Sequence, residues 1–474
     1  MRLRIALPFA VLALITASSA FAGDEHPEGR DRDERSVTDG NSKGGKGFAY
    51  GEFRLFPLAD LRLRGELRYV AGEPGGSTTP VGGVLARTRV GVEVRRGDTV
   101  RAVLSVQDAR VLGGAPSGLM STPTSPYATA PFEAFIEVKE RRTGAFLPAA
   151  TAEYETDGAF LRVGRQRLVV ANGLLVGAND WSPTGRSLDA VRGEIPWGRL
   201  RFGAFAALTS APGTFGLGVD AASGTRASNL EGVTVRWAPT ELFRVEAFGL
   251  LSKTYARVGS SGGDAQLVTA GARLHGEKSG FQWQLMGAYQ GGTRTYTASE
   301  ADVGAYAFYA SAQKRVSELR LNPTFRVGGA WASGNRAGSY RVGAFDPVLP
   351  DVQTFGLLDA AALTNLVAAH GAVTVEPGVP TRLSLRYQFA APERKYGGET
   401  DAYLTPATTV SRVFASRHEV DLTFAYTPVR DLELVAGYGI LAGVARDRAS
   451  GATSGFSMKD PAQLAFLSAR FLLH

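Results

Sequence analysis

No cysteine occurs anywhere in the 474 residues. That absence excludes a disulfide scaffold, a thiolate zinc site, a cysteine nucleophile and a lipidated N-terminal cysteine. Lysine is scarce as well. Only Lys43, Lys46, Lys139, Lys253, Lys278, Lys314, Lys395 and Lys459 occur, so the net charge of +7 rests almost wholly on arginine. Arginine makes forked, bidentate contacts to carboxylate and phosphate, which points to an anionic partner. Charged residues make up 20% of the chain, too few for a disordered protein. The 58 glycines follow no Gly-X-Y period, which excludes collagen. Long hydrophobic runs are also missing. A mean hydropathy of −0.05 excludes a bundle of membrane helices. It does not exclude a membrane β-barrel, whose two-faced strands average near zero. Beyond the N-terminus the nearest candidate for a membrane helix is 355–373, which Asp359, Asn365, His370, Gly356 and Gly371 interrupt. A loop with at most a short helix, running into a strand, is expected there. No Walker loop, metal-ligand spacing or dinucleotide fingerprint is present, so no cofactor or metal is expected, and no nucleic-acid partner.

The first 22 residues read as a Sec signal peptide. Arg2 and Arg4 form the basic region, 5–15 the apolar region, and Ala20-Phe21-Ala22 the small-x-small cleavage site. The alternative is an uncleaved anchor, for which the run is short. Residues 23–47 are Asp, Glu, Arg, Gly and Lys with almost nothing apolar. Such a segment cannot offset its ordering entropy and reads as a disordered leader. Residues 48–474 form the third unit.

From about residue 60 the pattern has period two. Apolar and charged positions alternate unbroken through Leu61-Arg62-Leu63-Arg64-Gly65-Glu66-Leu67-Arg68-Tyr69. In 84–95, Val84, Ala86, Val90, Val92 and Val94 oppose Arg87, Arg89, Glu93 and Arg95. In 319–331, Leu321, Phe325 and Val327 oppose Arg320, Asn322 and Arg326. Period two over such lengths means strands with two different faces. Eighteen are predicted: 60–70, 82–95, 99–109, 131–140, 157–169, 186–195, 198–208, 228–238, 241–252, 265–276, 280–291, 301–314, 319–333, 364–376, 380–391, 415–427, 430–442 and 461–473. Most exceed the ~5–6 residues of a soluble strand and match the ~9–11 of a tilted membrane-spanning one.

Connections after even-numbered strands are mostly tight, as at Gly97-Asp98, Pro196-Trp197, Pro239-Thr240, Lys278-Ser279, Pro377-Gly378 and Pro428-Val429. Those after odd-numbered strands are mostly long and rich in Gly, Ser, Thr and Ala. Short turns at one end and long loops at the other are what an outer-membrane barrel shows. The connection 141–156 is an exception, long on the short-turn side. Trp197, Trp237, Phe281, Trp283 and Tyr426 are placed as a girdle at the short-turn end, and Tyr69, Tyr289, Trp331, Phe389 and Tyr438 at the long-loop end. The fold class expected is therefore all-β: an 18-stranded antiparallel transmembrane outer-membrane β-barrel with long extracellular loops and short periplasmic turns. The apolar terminal strand suits recognition by barrel-assembly machinery, and outer-membrane lipid is the surrounding solvent.

With apolar residues outward, the other parity lines a lumen wide enough for an aqueous channel. Parity places Arg62, Arg64, Arg68, Arg87, Arg89, Arg95, Arg101, Arg162, Arg199, Arg201, Arg236, Arg244, Arg273, Arg320, Arg326, Arg382 and Arg386 inside. Opposed to them are Glu66, Glu93, Glu133, Glu137, Glu246, Glu419, Asp421 and Glu433. The excess of arginine favours anions. Interstrand Arg–Glu pairs that merely brace the wall are the competing reading.

One segment is denser than the rest. Leu161-Arg162-Val163-Gly164-Arg165-Gln166-Arg167 is followed by Asn179-Asp180-Trp181, then by Gly185-Arg186-Ser187-Leu188-Asp189-Ala190-Val191-Arg192. These pieces resemble the alginate-export family: a strand ending Gly-Arg-Gln, a loop with Asp-Trp, and a strand opening Gly-Arg-Ser-apolar-Asp. Phe132-Glu133-Ala134-Phe135-Ile136-Glu137 resembles the strand before them. Phe345-Asp346-Pro347, Phe355-Gly356, Asp359 and Thr364-Asn365-Leu366 resemble a long loop of the C-terminal half. The resemblance implies an 18-strand barrel that exports an anionic polysaccharide such as alginate, with periplasmic and inner-membrane export partners. It implies successive contacts from Arg162, Arg165, Arg186 and Arg192 to the polymer's carboxylates, with Asp180 and Asp189 holding those guanidiniums. A structural ion-pair cluster of Arg165, Asp180 and Asp189 stands equally open. The family uses a long periplasmic connection as a plug, for which 141–156 is the candidate. A passive porin for small anions and an outer-membrane hydrolase are the other classes. Against the hydrolase, His418 near Ser416 and Glu419 is the best available constellation, and its acid falls on the wrong face.

Overall fold

The computed structural model describes residues 47–69, 81–112, 127–140, 158–210, 228–254, 264–296, 299–336, 341–351, 353–358, 361–378, 380–394, 412–447 and 453–473. The segments expected to be a signal peptide and a polar leader, up to residue 46, and the connection 141–156 lie outside these residues. Among those described there is no helix, and nothing helical long enough to cross a membrane.

Nineteen strands are present: β1 (Phe48–Tyr50), β2 (Phe53–Tyr69), β3 (Val81–Arg96), β4 (Val100–Leu112), β5 (Tyr127–Lys139), β6 (Phe160–Gln166), β7 (Leu188–Trp197), β8 (Leu200–Ser210), β9 (Ser228–Trp237), β10 (Arg244–Thr254), β11 (Ala265–Lys278), β12 (Phe281–Tyr296), β13 (Ser299–Arg315), β14 (Thr324–Ala332), β15 (Leu366–Gly378), β16 (Thr381–Ala391), β17 (Arg412–Val429), β18 (Leu432–Asp447) and β19 (Thr453–Leu473). β2 to β19 pair antiparallel, each with the next. β19 then pairs with β2, Leu464 facing Arg68 and Leu473 facing Ala59, and the sheet closes into an 18-strand barrel. β1 is a stub that folds back on the start of β2.

Side chains alternate across this wall, and the alternation is inverted relative to a soluble protein. On β2, Leu61, Leu63 and Leu67 are exposed on the outer face, while Arg62, Arg64, Glu66 and Arg68 are buried on the inner one. Apolar staves outward and charge inward are stable only where lipid is the outer solvent. Trp197, Trp237 and Phe281 are exposed outward at the short-turn end, and Tyr289 and Tyr438 at the other.

The eighteen strands expected from periodicity are all present. Two are shorter than expected by six residues each, for physical reasons. β14 begins at Thr324 because 316–323 forms a turn, with Leu321 and Asn322 at positive φ ahead of Pro323, which has no N–H for a ladder. β6 stops at Gln166 because the chain then leaves the wall and enters the bore. β5 carries a bulge: Ser105 pairs with Glu133 and Val106 with Pro131, so the extra residue, Phe132, turns inward beside Glu133.

Candidate functional site

Among the described residues, two of the long loops fold into the barrel. The first, 167–187, follows β6. The second follows β14 and is described at 333–336, 341–351, 353–358 and 361–365. Leu168, Val170, Leu174, Leu175 and Val176 of the first join Phe345, Phe355 and Leu363 of the second in one buried cluster. The barrel wall facing them, from β7 to β16, supplies small side chains such as Ala190, Ala207, Ala288, Ala305, Ala307, Ala330 and Ala368. Small residues there leave room for the loops, so part of the bore is packed like a protein interior.

The far end of the first loop meets the opposite kind of wall. Asp60 on β2 takes Arg87 at 2.8 Å and Arg470 at 3.0 Å. Asp180 of the loop takes Arg89 at 2.8 Å, Arg87 at 3.0 Å and Arg470 at 3.6 Å. Arg62 donates to the carbonyls of Asp180, Trp181 and Ser182, at 2.8, 3.1 and 3.0 Å. Arg64 donates to the Trp181 carbonyl at 2.7 Å and lies 3.9 Å over its ring. Burial alone raises the Asp180 carboxyl. Arg87, Arg470, Arg89 and Arg62 outweigh it and hold that carboxyl well below its ordinary value. These guanidiniums, drawn from β2, β3 and β19, pin the loop at the seam where the barrel closes.

The second loop crosses the bore as a strap. Near β12, Asp346 is held by Arg294 at 2.6 Å, and Gln290 donates to its carbonyl at 2.8 Å. At β17, the Leu357 and Leu358 N–H groups donate to Asp421 and Glu419 at 3.2 and 2.8 Å. Between these anchors the strap is clipped to the first loop. Gly177 N–H donates to the Leu349 carbonyl, Leu349 N–H to Leu175, and Asp351 N–H to Gly173, at 2.8–2.9 Å. Arg186 donates to the carbonyls of Gly177, Leu349 and Pro350.

Below the loops, toward the short turns, the inward row is polar. Glu194 lies among Arg192 at 2.5 Å, Arg236 at 3.2 Å and Arg201 at 3.4 Å. Arg273 follows, 3.6 Å from Glu246 and 3.1 Å from the Gln284 amide oxygen. Gln284 donates to Ser311, and Gln313 accepts both Nε and Nη2 of Arg326, at 2.8 and 2.6 Å. Arg386 donates to Gln388 and to the Thr354 carbonyl. Arg326 and Arg386 flank Ala372 on the strand between them, with buried His370 above.

The residues singled out from sequence do not form one cluster. Arg87 and Arg89 face inward and hold Asp180. Arg162 faces inward, its Nε 2.7 Å from Glu137, and Arg192 faces inward on Glu194. Arg326, Arg382 and Arg386 are half-buried on the inner face. Arg186 lies in the clip between the loops. Asp180 binds the seam arginines, and not Arg165. Arg199 and Arg320 correct the parity reading, and Arg165 with Asp189 corrects what the resemblance implies. Arg320 sits exposed in the 316–323 turn and Arg199 in the turn at 198–199, outside any strand. Arg165 and Asp189 pair at 3.2 Å on the outer face. They stand in register with Ala134 and with Leu208, which is exposed outward. Asp189 lies about 20 Å above the Trp197 girdle, taking ~3.3 Å per residue and ~40° tilt, which is the upper rim of the lipid-facing band. Asp60, Glu194, Arg417 and Arg470 are inward charges that the sequence reading missed, although each shares the parity of recognised neighbours.

No curated protein matches this chain. Its fold is similar to that of solved outer-membrane porins. A BenF-like porin from Pseudomonas fluorescens Pf-5 is 13% identical with a TM-score of 0.56, over 88% of this chain and 98% of that one. OpdK from Pseudomonas aeruginosa, solved with vanillate, is 11% identical with a TM-score of 0.54, over the same shares. OccAB3 from Acinetobacter baumannii is 10% identical with a TM-score of 0.53, over 88% and 98%. The family model for alginate export matches residues 59–458, which take in β3 to β18 whole, β2 from Ala59 on and the first six residues of β19. The chain belongs to the alginate export family, on an outer-membrane β-barrel fold.

Proposed function

We propose that this barrel carries an anionic polysaccharide, alginate or a similar polyuronate, from periplasm to cell surface through an arginine-lined lumen. The observation that carries the reading is the polar row below the loops. Arg192, Arg201, Arg236, Arg273, Arg326 and Arg386 face the bore, interleaved with Gln284, Ser311 and Gln313. A polyuronate presents a carboxylate and free hydroxyls on every sugar. Guanidinium forks meet the first and amides the second, through contacts individually weak enough to release. A transporter and not an enzyme is what the family and the fold support. Energy and polymer come from periplasmic and inner-membrane partners, and the barrel-assembly machinery inserts it.

The alternative is a passive pore for small anions. The two inward loops favour it, because a packed bore suits a small solute. Planar-bilayer measurements separate the readings. Export predicts anion selectivity and a block that strengthens with oligouronate length. Cation preference removes both readings, and a block independent of length removes export.

A further inference from the structure

The clip between the two loops contains a carboxylate in a seat built for one. The Asp351 side chain accepts the Asn179 N–H at 2.5 Å. Gly173 and Gly177 stand against it so closely that a Cβ at either position would overlap its carboxylate atoms. Arg186, bonded to the carbonyls of the same clip, is the guanidinium whose charge acts on Asp351. An N–H and two bare glycine backbones around one carboxylate, with the charge of Arg186 held nearby on the carbonyls of the clip, make an anion site, and the chain's own aspartate fills it. The occupant belongs to the strap, which is anchored at Asp346 and at Leu357–Leu358 and crosses the bore between them.

We infer that the seat formed by Gly173, Gly177, Asn179 and Arg186 is a carboxylate-binding site, that Asp351 occupies it in the shut channel, and that a carboxylate of the transported polymer takes its place and releases the strap. This rests on the export reading for the identity of the ligand and on the loop geometry for the gate. The first loop is the fixed partner, because Asp180, Arg62 and Arg64 tie it to the seam. The middle of the strap is the moving one. Three backbone bonds, the Arg186 bonds and the Asp351 seat hold it to the first loop.

The test uses the full-length barrel in planar bilayers, with a defined oligouronate on the periplasmic side and a neutral malto-oligosaccharide as control. The natural chain has no cysteine, so Val176→Cys with Leu349→Cys places one thiol on each side of the bridge between the loops. The oxidised pair is expected to lower open probability at least fivefold, with recovery on reduction. Asp351→Asn is expected to raise open probability severalfold without ligand and to abolish activation by the oligouronate, while maltose oligomers do nothing in any variant. Equal conductance of the oxidised and reduced pair overturns the gate. An Asp351→Asn channel still activated like the parent overturns the seat. If the pair gates as expected but the open pore prefers cations, the gate stands and the export reading falls.

Discussion

Trp181 meets Phe466 edge-on, ring centroids 5.0 Å apart and planes at 80°, so a loop residue is wedged against the last strand of the barrel. Arg64 covers a face of the same indole. Trp181→Ala removes both contacts, and an edge-to-face pair with a desolvated cation–π contact is worth roughly 2 kcal/mol. The expected outcome is a looser first loop in an intact barrel: higher mean conductance and faster protease cutting at Arg186, with the heat-induced gel shift unchanged.

Asp180 sets a pH dependence. Its folded carboxyl lies below the ordinary value of 3.8 because four guanidiniums outweigh its burial. A depressed acid gives its full contribution above the unfolded value, and loses it as pH falls through the lower folded value. The first loop should therefore stay docked through pH 5 and release only well below pH 4. Conductance recorded across that range checks it. Asp180→Asn should behave at pH 7 as the parent does in strong acid.

Placement on the two faces of the wall makes a paired prediction. Arg326→Gln with Arg386→Gln should lower the anion-to-cation permeability ratio severalfold, because both face the bore. Arg165→Ala should leave conductance and selectivity unchanged, because it pairs with Asp189 on the outer face. Reversal potentials in a salt gradient distinguish them.

Glu194 holds three arginines from three adjacent strands. Removing one partner of a buried ion cluster costs about 3–5 kcal/mol, because the remaining charges are left unbalanced. Glu194→Gln should lower the temperature of barrel unfolding in detergent and, in the folded fraction, strengthen anion selectivity.

The strands were legible in the sequence because lipid on one side and water on the other impose a strict period of two. Leu61 to Tyr69 shows it without exception. The inward loops were less legible, though Leu168-Val169-Val170 and Leu174-Leu175-Val176 carried a signal: extracellular loops have no need of two apolar triplets. For Arg165 the motif resemblance and the parity of the strand point to opposite faces, and the structure follows parity. Arg165 shares the parity of outward Val163, as Asp189 shares that of outward Val191. The pairing of Asp351 with Asn179, 172 positions apart, had no local trace at all.

Asp60 and Arg470, 410 positions apart, are bonded across the seam between the first and last barrel strands. The docking ground for Asp180 and Trp181 draws Arg62, Arg64, Arg87 and Arg89 from one edge and Arg470 and Phe466 from the other, so it is complete only once the cylinder has zipped shut. Lodging of the first loop and closure of the wall thereby share one set of contacts, and a defect at the seam is expected to show as raised permeability before it shows as lost fold.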